Sequence, residues 1–293
     1  MCCIFEYMIE QLKDKYATPE LAGKAINTLA RISSSKAGKL ALDIFCSPRE
    51  GKELSKKEKR FLDRAENTDL AFEDYTVRVY RWGTGSRKLF LAHGYESNSA
   101  RWRALVPLLV RNDYEVVAMD APAHGQSGSK MLNGVQYANA LKLVIEKEKP
   151  FAVIGHSLGA MSTAWYFKDL DNIPISKFIT LAIPSKLRTA INLFYEILGM
   201  NANAIKAMET HFNKKFGFTI DDFTVAKFFK DCDVNGTMIH DKSDTVVSIE
   251  EAHSIHQVWN NSFLIETNGL GHFLQSGDVF RMILEELDKS SKI

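Results

Sequence analysis

A serine fenced by glycines closes a short apolar run, and it is where chemistry could first occur in this chain. Residues 151–161 read FAVIGHSLGAM. The apolar run meets Gly155-His156-Ser157-Leu158-Gly159, and a helical stretch with Ala160, Ala164 and Trp165 follows. A strand-to-helix turn this tight requires small neighbours. It forces the serine into an unfavourable backbone region and projects its hydroxyl away from the sheet. The helix after it aims its N-terminal N–H groups at that spot, where they would stabilise developing negative charge. The same residue types also make a purely structural turn, since Gly and Ser are common turn residues.

A serine hydroxyl is a poor nucleophile without a base. A neutral histidine must take its proton, and a carboxylate must fix that histidine's tautomer. The chain offers both downstream of Ser157, each just past an expected strand. GTMIHDKSDTVVS supplies Asp241 and Asp244, and FLIETNGLGHFLQ supplies His272 in a glycine-rich loop before a helix.

The elements that would position these groups alternate. After about residue 70, LAFEDYTVRVYRW reads as a hairpin feeding a buried strand, KLFLAH. Further strands are YEVVAMD, FAVIG, KFITLAI, DVNGTMIH and SFLIE. Helices are expected over 99–110, 134–147, 158–168, 249–258 and 276–289. Apolar strands without alternation, separated by amphipathic helices, predict a mostly parallel central sheet covered by helices on both faces, an α/β fold. Residues 1–66 read as a helical N-terminal extension, with Thr18 as N-cap, Pro19 at the first helical position, and Leu21, Ala25, Leu29 and Ile32 on one face. Ser55 and Glu58 form a capping-box pattern. Residues 67–293 make the second segment. Within it, about 185–232 breaks the rhythm and reads as two or three inserted helices, a small lid.

Composition sets bounds. The 293 residues are 45% hydrophobic and 25% charged, with 37 basic against 36 acidic side chains. A net charge of +1 gives no global field for nucleic acid or an anionic membrane. The basic run at 56, 57, 59 and 60 reads as a solvated helix face. Cys2, Cys3, Cys46 and Cys232 fit neither a disulfide framework nor a zinc motif, and read as thiols of a reducing cytosol. No myristoylation or lipoprotein pattern surrounds Cys2-Cys3. MCCIFEYMIEQLKDKY has no basic n-region and does not read as a signal peptide. No apolar run spans a bilayer, so a cytoplasmic location is expected.

Five blocks in order resemble the α/β-hydrolase fold superfamily over about residues 70–290: LAHGYESN (91–98), VVAMDAPAHGQSG (116–128), GHSLGA (155–160), IHDKSDTVV (239–247) and GLGHF (269–273). The resemblance implies Ser157 as nucleophile and His272 as base. It implies Asp244 as acid, four residues after the strand-end His240 and before Val247. Asp241 stands where the family usually has glycine, a departure that keeps it as an alternative acid. The family's other acid position falls in LAIPSK, which has no carboxylate. The oxyanion hole would use the backbone N–H groups of Leu158 and Tyr95. Glu96 reads as a loop charge. His93, His124 and His156 read as structural histidines, and His211 as an exposed one. His253 and His256 share a helix face but lack further ligands for zinc.

The resulting expectation is a serine hydrolase that cleaves carboxylic esters of small to medium acyl chain through an acyl-enzyme, with no cofactor and no metal. Thioesterase, lactonase, amidase and acyltransferase activities use the same machinery, and a non-catalytic binding protein on the scaffold is the alternative of another class. The expected partner is a small-molecule ester, with no nucleic acid and no stable membrane insertion. The N-terminal helices offer a surface for a homodimer. Leu193, Phe194, Tyr195, Ile197, Leu198, Phe212, Phe216 and Phe218 of the insertion would either wall an acyl pocket or pack the lid.

Overall fold

The computed structural model describes residues 18–289 except 50, 169, 171, 172 and 231. The stretch 1–16, with Cys2 and Cys3, lies outside the described residues. Eight strands form one sheet: β1 (Glu66–Phe72), β2 (Tyr75–Trp82), β3 (Arg87–Ala92), β4 (Tyr114–Met119), β5 (Ala152–His156), β6 (Lys177–Leu181), β7 (Asn235–Asp241) and β8 (Ser262–Thr267). Their order is β1-β2-β4-β3-β5-β6-β7-β8. The β1–β2 and β2–β4 pairings are antiparallel, and the other five are parallel.

The sequence reason lies in burial. Every residue of β5 and β6 is buried, so these strands can be apolar throughout only because both sheet faces are covered. β1, at the edge, alternates exposed and half-buried residues instead. It carries Asp69, which takes a two-pronged hydrogen bond from Arg78 of β2.

The helices are α1 (Pro19–Ile32), α2 (Ser34–Phe45), α3 (Lys56–Leu62), α4 (Val106–Arg111), α5 (Gly134–Glu148), α6 (Leu158–Phe167), α7 (Leu187–Leu198), α8 (Ala202–Phe216), α9 (Val225–Phe229), α10 (Ile249–His256) and α11 (Gly277–Lys289). The expected helix over 99–110 is instead a 3₁₀ turn, Ser99–Arg103, followed by α4. Pro107 has no N–H to give the carbonyl of Arg103, so a continuous helix cannot form there. The third insertion helix is likewise split into a 3₁₀ turn at Ile220–Asp222 and α9. Thr219 and Asp222 cap each other across that turn, and such side-chain bonds compete with helix propagation.

The chain divides into two compact units. One takes its described residues from 18–49 and 186–224, the other from 51–185 and 225–289. Helices α1 and α2 therefore share a unit with α7 and α8, while α3 belongs with the sheet. In the first unit the buried positions of α1 are Pro19, Gly23 and Ile26. The face that carries Leu21, Ala25, Leu29 and Ile32 turns largely outward: Leu21 is 51% and Ile32 79% exposed, and Leu29 is half-buried. Gly23 decides this, because a Cβ there would lie 1.6 Å from the carbonyl oxygen of Leu198. The backbones cross at the glycine, and the larger side chains turn outward. Thr18 makes no side-chain bond to the first turn. His211, expected on the surface, is half-buried beside Gly38. Phe194, Tyr195 and Phe212 are buried, and the Phe212 ring packs on Phe216 and Phe218 at 4.7 and 5.6 Å.

In the sheet unit the capping box of α3 forms, with Ser55 and Glu58 bonded reciprocally. Residues Trp102, Leu105, Leu109 and Tyr114 are fully buried in its core. No helix among the described residues is long and apolar enough to cross a membrane. Cys46 is buried, which pushes its thiol up to about 12, and Cys232 is half-buried.

Candidate active site

Ser157 sits between β5 and α6 with φ 50° and ψ −122°, a backbone conformation that L-residues rarely adopt. The two flanking glycines are required by close approach. A Cβ on Gly155 would come 2.6 Å from Cα of Ala160, and one on Gly159 would come 2.4 Å from the carbonyl oxygen of His93. The strained serine is held from both sides: its N–H donates to Leu181 (2.9 Å), and its carbonyl accepts from Met161 (3.0 Å). Ser157 is half-buried.

His272 lies between Ser157 and Asp244. Its Nδ1 is 2.8 Å from Oδ2 of Asp244 and its Nε2 is 3.1 Å from Oγ of Ser157. An ionised carboxylate can only accept, so Nδ1 carries the proton and the Nε2 lone pair faces the serine hydroxyl. Asp244 is buried, and burial works to raise its pKa. The bond from His272 and the N–H groups of Val246 (2.8 Å) and Val247 (3.0 Å) outweigh this and hold the carboxyl below its ordinary value.

Asp241 does not touch His272. It accepts from Ser243 N–H (2.9 Å) and the Ser243 hydroxyl, from Thr267 Oγ1 (2.7 Å), and from Leu270 N–H (3.0 Å). Burial opposes ionisation, but these bonds more than offset it and depress its pKa strongly. Of the two aspartates, geometry brings only Asp244 to the histidine. Asp241 ties the acid-bearing turn to the loop that carries His272, a role the sequence reading missed. The local signal was present: an Asp whose side chain accepts from the N–H two residues on is an Asx turn.

Leu158 and Tyr95, the expected oxyanion donors, flank the same place. Leu158 opens α6, whose first N–H groups have no intrahelical acceptor. Tyr95 follows Gly94, where a Cβ would lie 3.2 Å from Cβ of Ser157. The loop is fixed by histidines. His124 Nε2 accepts from Glu96 N–H (3.0 Å) while Nδ1 donates to Pro122 (2.9 Å). His93 Nε2 accepts from Ala121 N–H (2.8 Å) while Nδ1 donates to Gly94 (2.7 Å). Burial lowers both rings, to about 3 and about 4, so they stay neutral and keep these tautomers.

Two further contacts were not legible in the sequence. His156 reaches the carbonyl of His272 (3.0 Å), and Arg101 donates to the carbonyl of Phe273 (3.0 Å). His253 pairs with Glu266 (2.7 Å) and His256 with Ser262 (2.7 Å). Among the described residues, no group of three His, Cys, Asp or Glu side chains could hold a metal ion.

Comparisons with known proteins bear on the fold. Residues 89–206 match a family model described as the alpha/beta hydrolase fold. The chain is 35% identical over 80 residues to the uncharacterized hydrolase YugF of Bacillus subtilis, covering 26% of this chain and 29% of that protein. It is 38% identical over 91 residues to a serine hydrolase-like protein of Danio rerio, covering 28% and 27%. The chain thus spans less than a third of the length of these two relatives. Among solved structures, the Pyrococcus furiosus esterase Pf2001 superposes with a TM-score of 0.63 at 18% identity, covering 83% of this chain and 97% of that one. The Exiguobacterium antarcticum esterase superposes at 0.60 with 14% identity, covering 77% and 100%. Strand order, serine turn and these matches agree: the chain has the alpha/beta hydrolase fold.

Proposed function

We propose that the chain is a serine hydrolase that cleaves carboxylic esters of small to medium acyl chain. The observation that carries this reading is His272, within hydrogen-bond distance of both the Asp244 carboxylate and the Ser157 hydroxyl. In the proposed reaction His272 Nε2 takes the hydroxyl proton as Ser157 Oγ bonds to the ester carbonyl carbon. The tetrahedral oxyanion is met by the N–H groups of Leu158 and Tyr95, at the positive end of α6. Each such donor is worth roughly two to three orders of magnitude in rate. The intermediate collapses, the carbon–oxygen bond to the alcohol breaks, and His272 returns its proton to that alcohol. Water then attacks the acyl-enzyme with His272 again as base, releasing the acid and restoring Ser157. The buried Asp244 keeps the imidazole in its tautomer and stabilises the imidazolium.

Turnover of p-nitrophenyl esters from acetate to palmitate, on the wild type and Ser157→Ala in parallel, tests the proposal. Serine-dependent hydrolysis with an optimum at short or medium chains is expected, with the thermal midpoint of Ser157→Ala close to wild type. Hydrolysis that survives Ser157→Ala, or no hydrolysis at any chain length, overturns it.

A further inference from the structure

The loop that carries His272 is fastened at three points along its backbone. Asp241 accepts from Leu270 N–H (3.0 Å), His156 bonds the carbonyl of His272 itself (3.0 Å), and Arg101 bonds the carbonyl of Phe273 (3.0 Å). Two of these side chains lie on the elements that bear the other members of the site. Asp241 ends β7, three residues before Asp244. His156 ends β5, immediately before Ser157.

His156 is the more informative of the two. A carbonyl oxygen only accepts, so the His156 proton must be on Nε2, and that nitrogen is committed to the main chain of His272. Burial, with Arg101 and His272 nearby, drives the ring's pKa well below its ordinary value, so the ring holds one proton only. Its other edge packs on Gly94, where a Cβ would come 2.8 Å from Nδ1. The ring is wedged between the oxyanion loop and the base loop, its centroid 5.0 Å from that of His272. Any displacement of the His272 main chain changes the 3.1 Å approach to Ser157 Oγ.

We infer that His156 is a positioning residue for the base: its Nε2–H grips the His272 carbonyl from the residue next to the nucleophile and sets the serine–histidine distance. This rests on the proposed roles of Ser157 and His272. The role is distinct from acid–base chemistry, because neither nitrogen of His156 faces the serine hydroxyl as an acceptor.

The test compares His156→Met, which has similar reach and no donor, with His156→Gln, whose amide nitrogen can occupy the place of Nε2. With p-nitrophenyl acetate, Met should lower kcat about 10- to 100-fold with KM nearly unchanged, since a misplacement of about 1 Å costs on that order. Gln should restore kcat to within about fivefold of wild type, in keeping with a retained donor. Equal kcat for Met and wild type, or equal loss in Met and Gln at retained thermal midpoints, overturns the inference. Should Met fail to fold, Gln is set against Asn, whose shorter side chain cannot reach the carbonyl. Gln must then exceed Asn, and equality overturns it.

Amide hydrogen exchange across residues 269–274 supplies a readout independent of turnover. Exchange should quicken in Met or Asn and stay near wild type in Gln; unchanged exchange overturns the clamp. A wild type that hydrolyses no ester, with this exchange pattern intact, removes the hydrolase reading and leaves the clamp standing.

Discussion

Exchanging Asp244 for Asn separates the two aspartates of the β7 turn more sharply than any other single change. Oδ1 of Asp244 accepts two backbone N–H groups, from Val246 and Val247. An asparagine must keep its carbonyl oxygen there, or leave two buried donors facing an NH2 group at about 1–3 kcal/mol each. Its amide nitrogen then replaces Oδ2 and points at Nδ1 of His272, 2.8 Å away in the wild type. Two donors cannot share that line. The imidazole moves its proton to Nε2, and the nitrogen facing Ser157 loses the lone pair that would accept the hydroxyl proton. Inverting the tautomer in such a triad lowers kcat by about 10⁴, or roughly 5 kcal/mol of barrier. The fold should hardly notice, since no buried donor is orphaned. Asp241→Asn is the contrast. Its four accepted bonds require both oxygens, so the backbone N–H of Ser243 or of Leu270 must face an NH2 group, while the hydroxyl that shares that oxygen can turn to accept. That variant should lose about 1–3 kcal/mol of stability and far less activity than Asp244→Asn. Steady-state kinetics on p-nitrophenyl acetate, alongside urea unfolding of both variants, checks the ranking. An Asp244→Asn enzyme within tenfold of wild type would refute the tautomer argument, and the reverse ranking would move the acid to Asp241.

Two stability predictions follow from the same structure. The carboxyls of Asp241, Asp244, Glu148 and Glu286 are all held below their ordinary range, where partner bonds outweigh burial. Groups depressed on folding stabilise fully above their unfolded pKa, about 4, and this is lost as pH falls through the folded values. Buried Asp120, whose pKa burial raises, contributes with the opposite sign. Urea midpoints should therefore fall below about pH 4, less steeply in Asp241→Asn; an identical pH slope in that variant would exclude Asp241 from the acid response. Gly23→Ala places a Cβ 1.6 Å from the Leu198 carbonyl, so backbone must move, at about 1–3 kcal/mol for overpacking. Gly277→Ala, whose Cβ meets nothing within 4 Å, should be neutral or slightly stabilising. Calorimetric midpoints that rank the two alanines the other way would refute the crossing at Gly23.

Sequence alone determined the features that depend on local chemistry. Strands buried on both faces need uninterrupted apolar runs, and a turn at Ser157 needs glycine on either side, so β3 to β7 and the serine turn stand where the residue pattern places them. Chain order and strand ends likewise nominated His272 and the pair Asp241 and Asp244. What sequence left open were interactions between residues far apart. The choice of Asp244 rests on a bond across 28 positions, and the grip of His156 on the His272 carbonyl on one across 116. The outward turn of Leu21 follows from a backbone contact between Gly23 and Leu198, which no helical periodicity encodes. Periodicity reports which side of an element is apolar. Only the packed tertiary structure decides which neighbour arrives there, and with it which polar atoms meet.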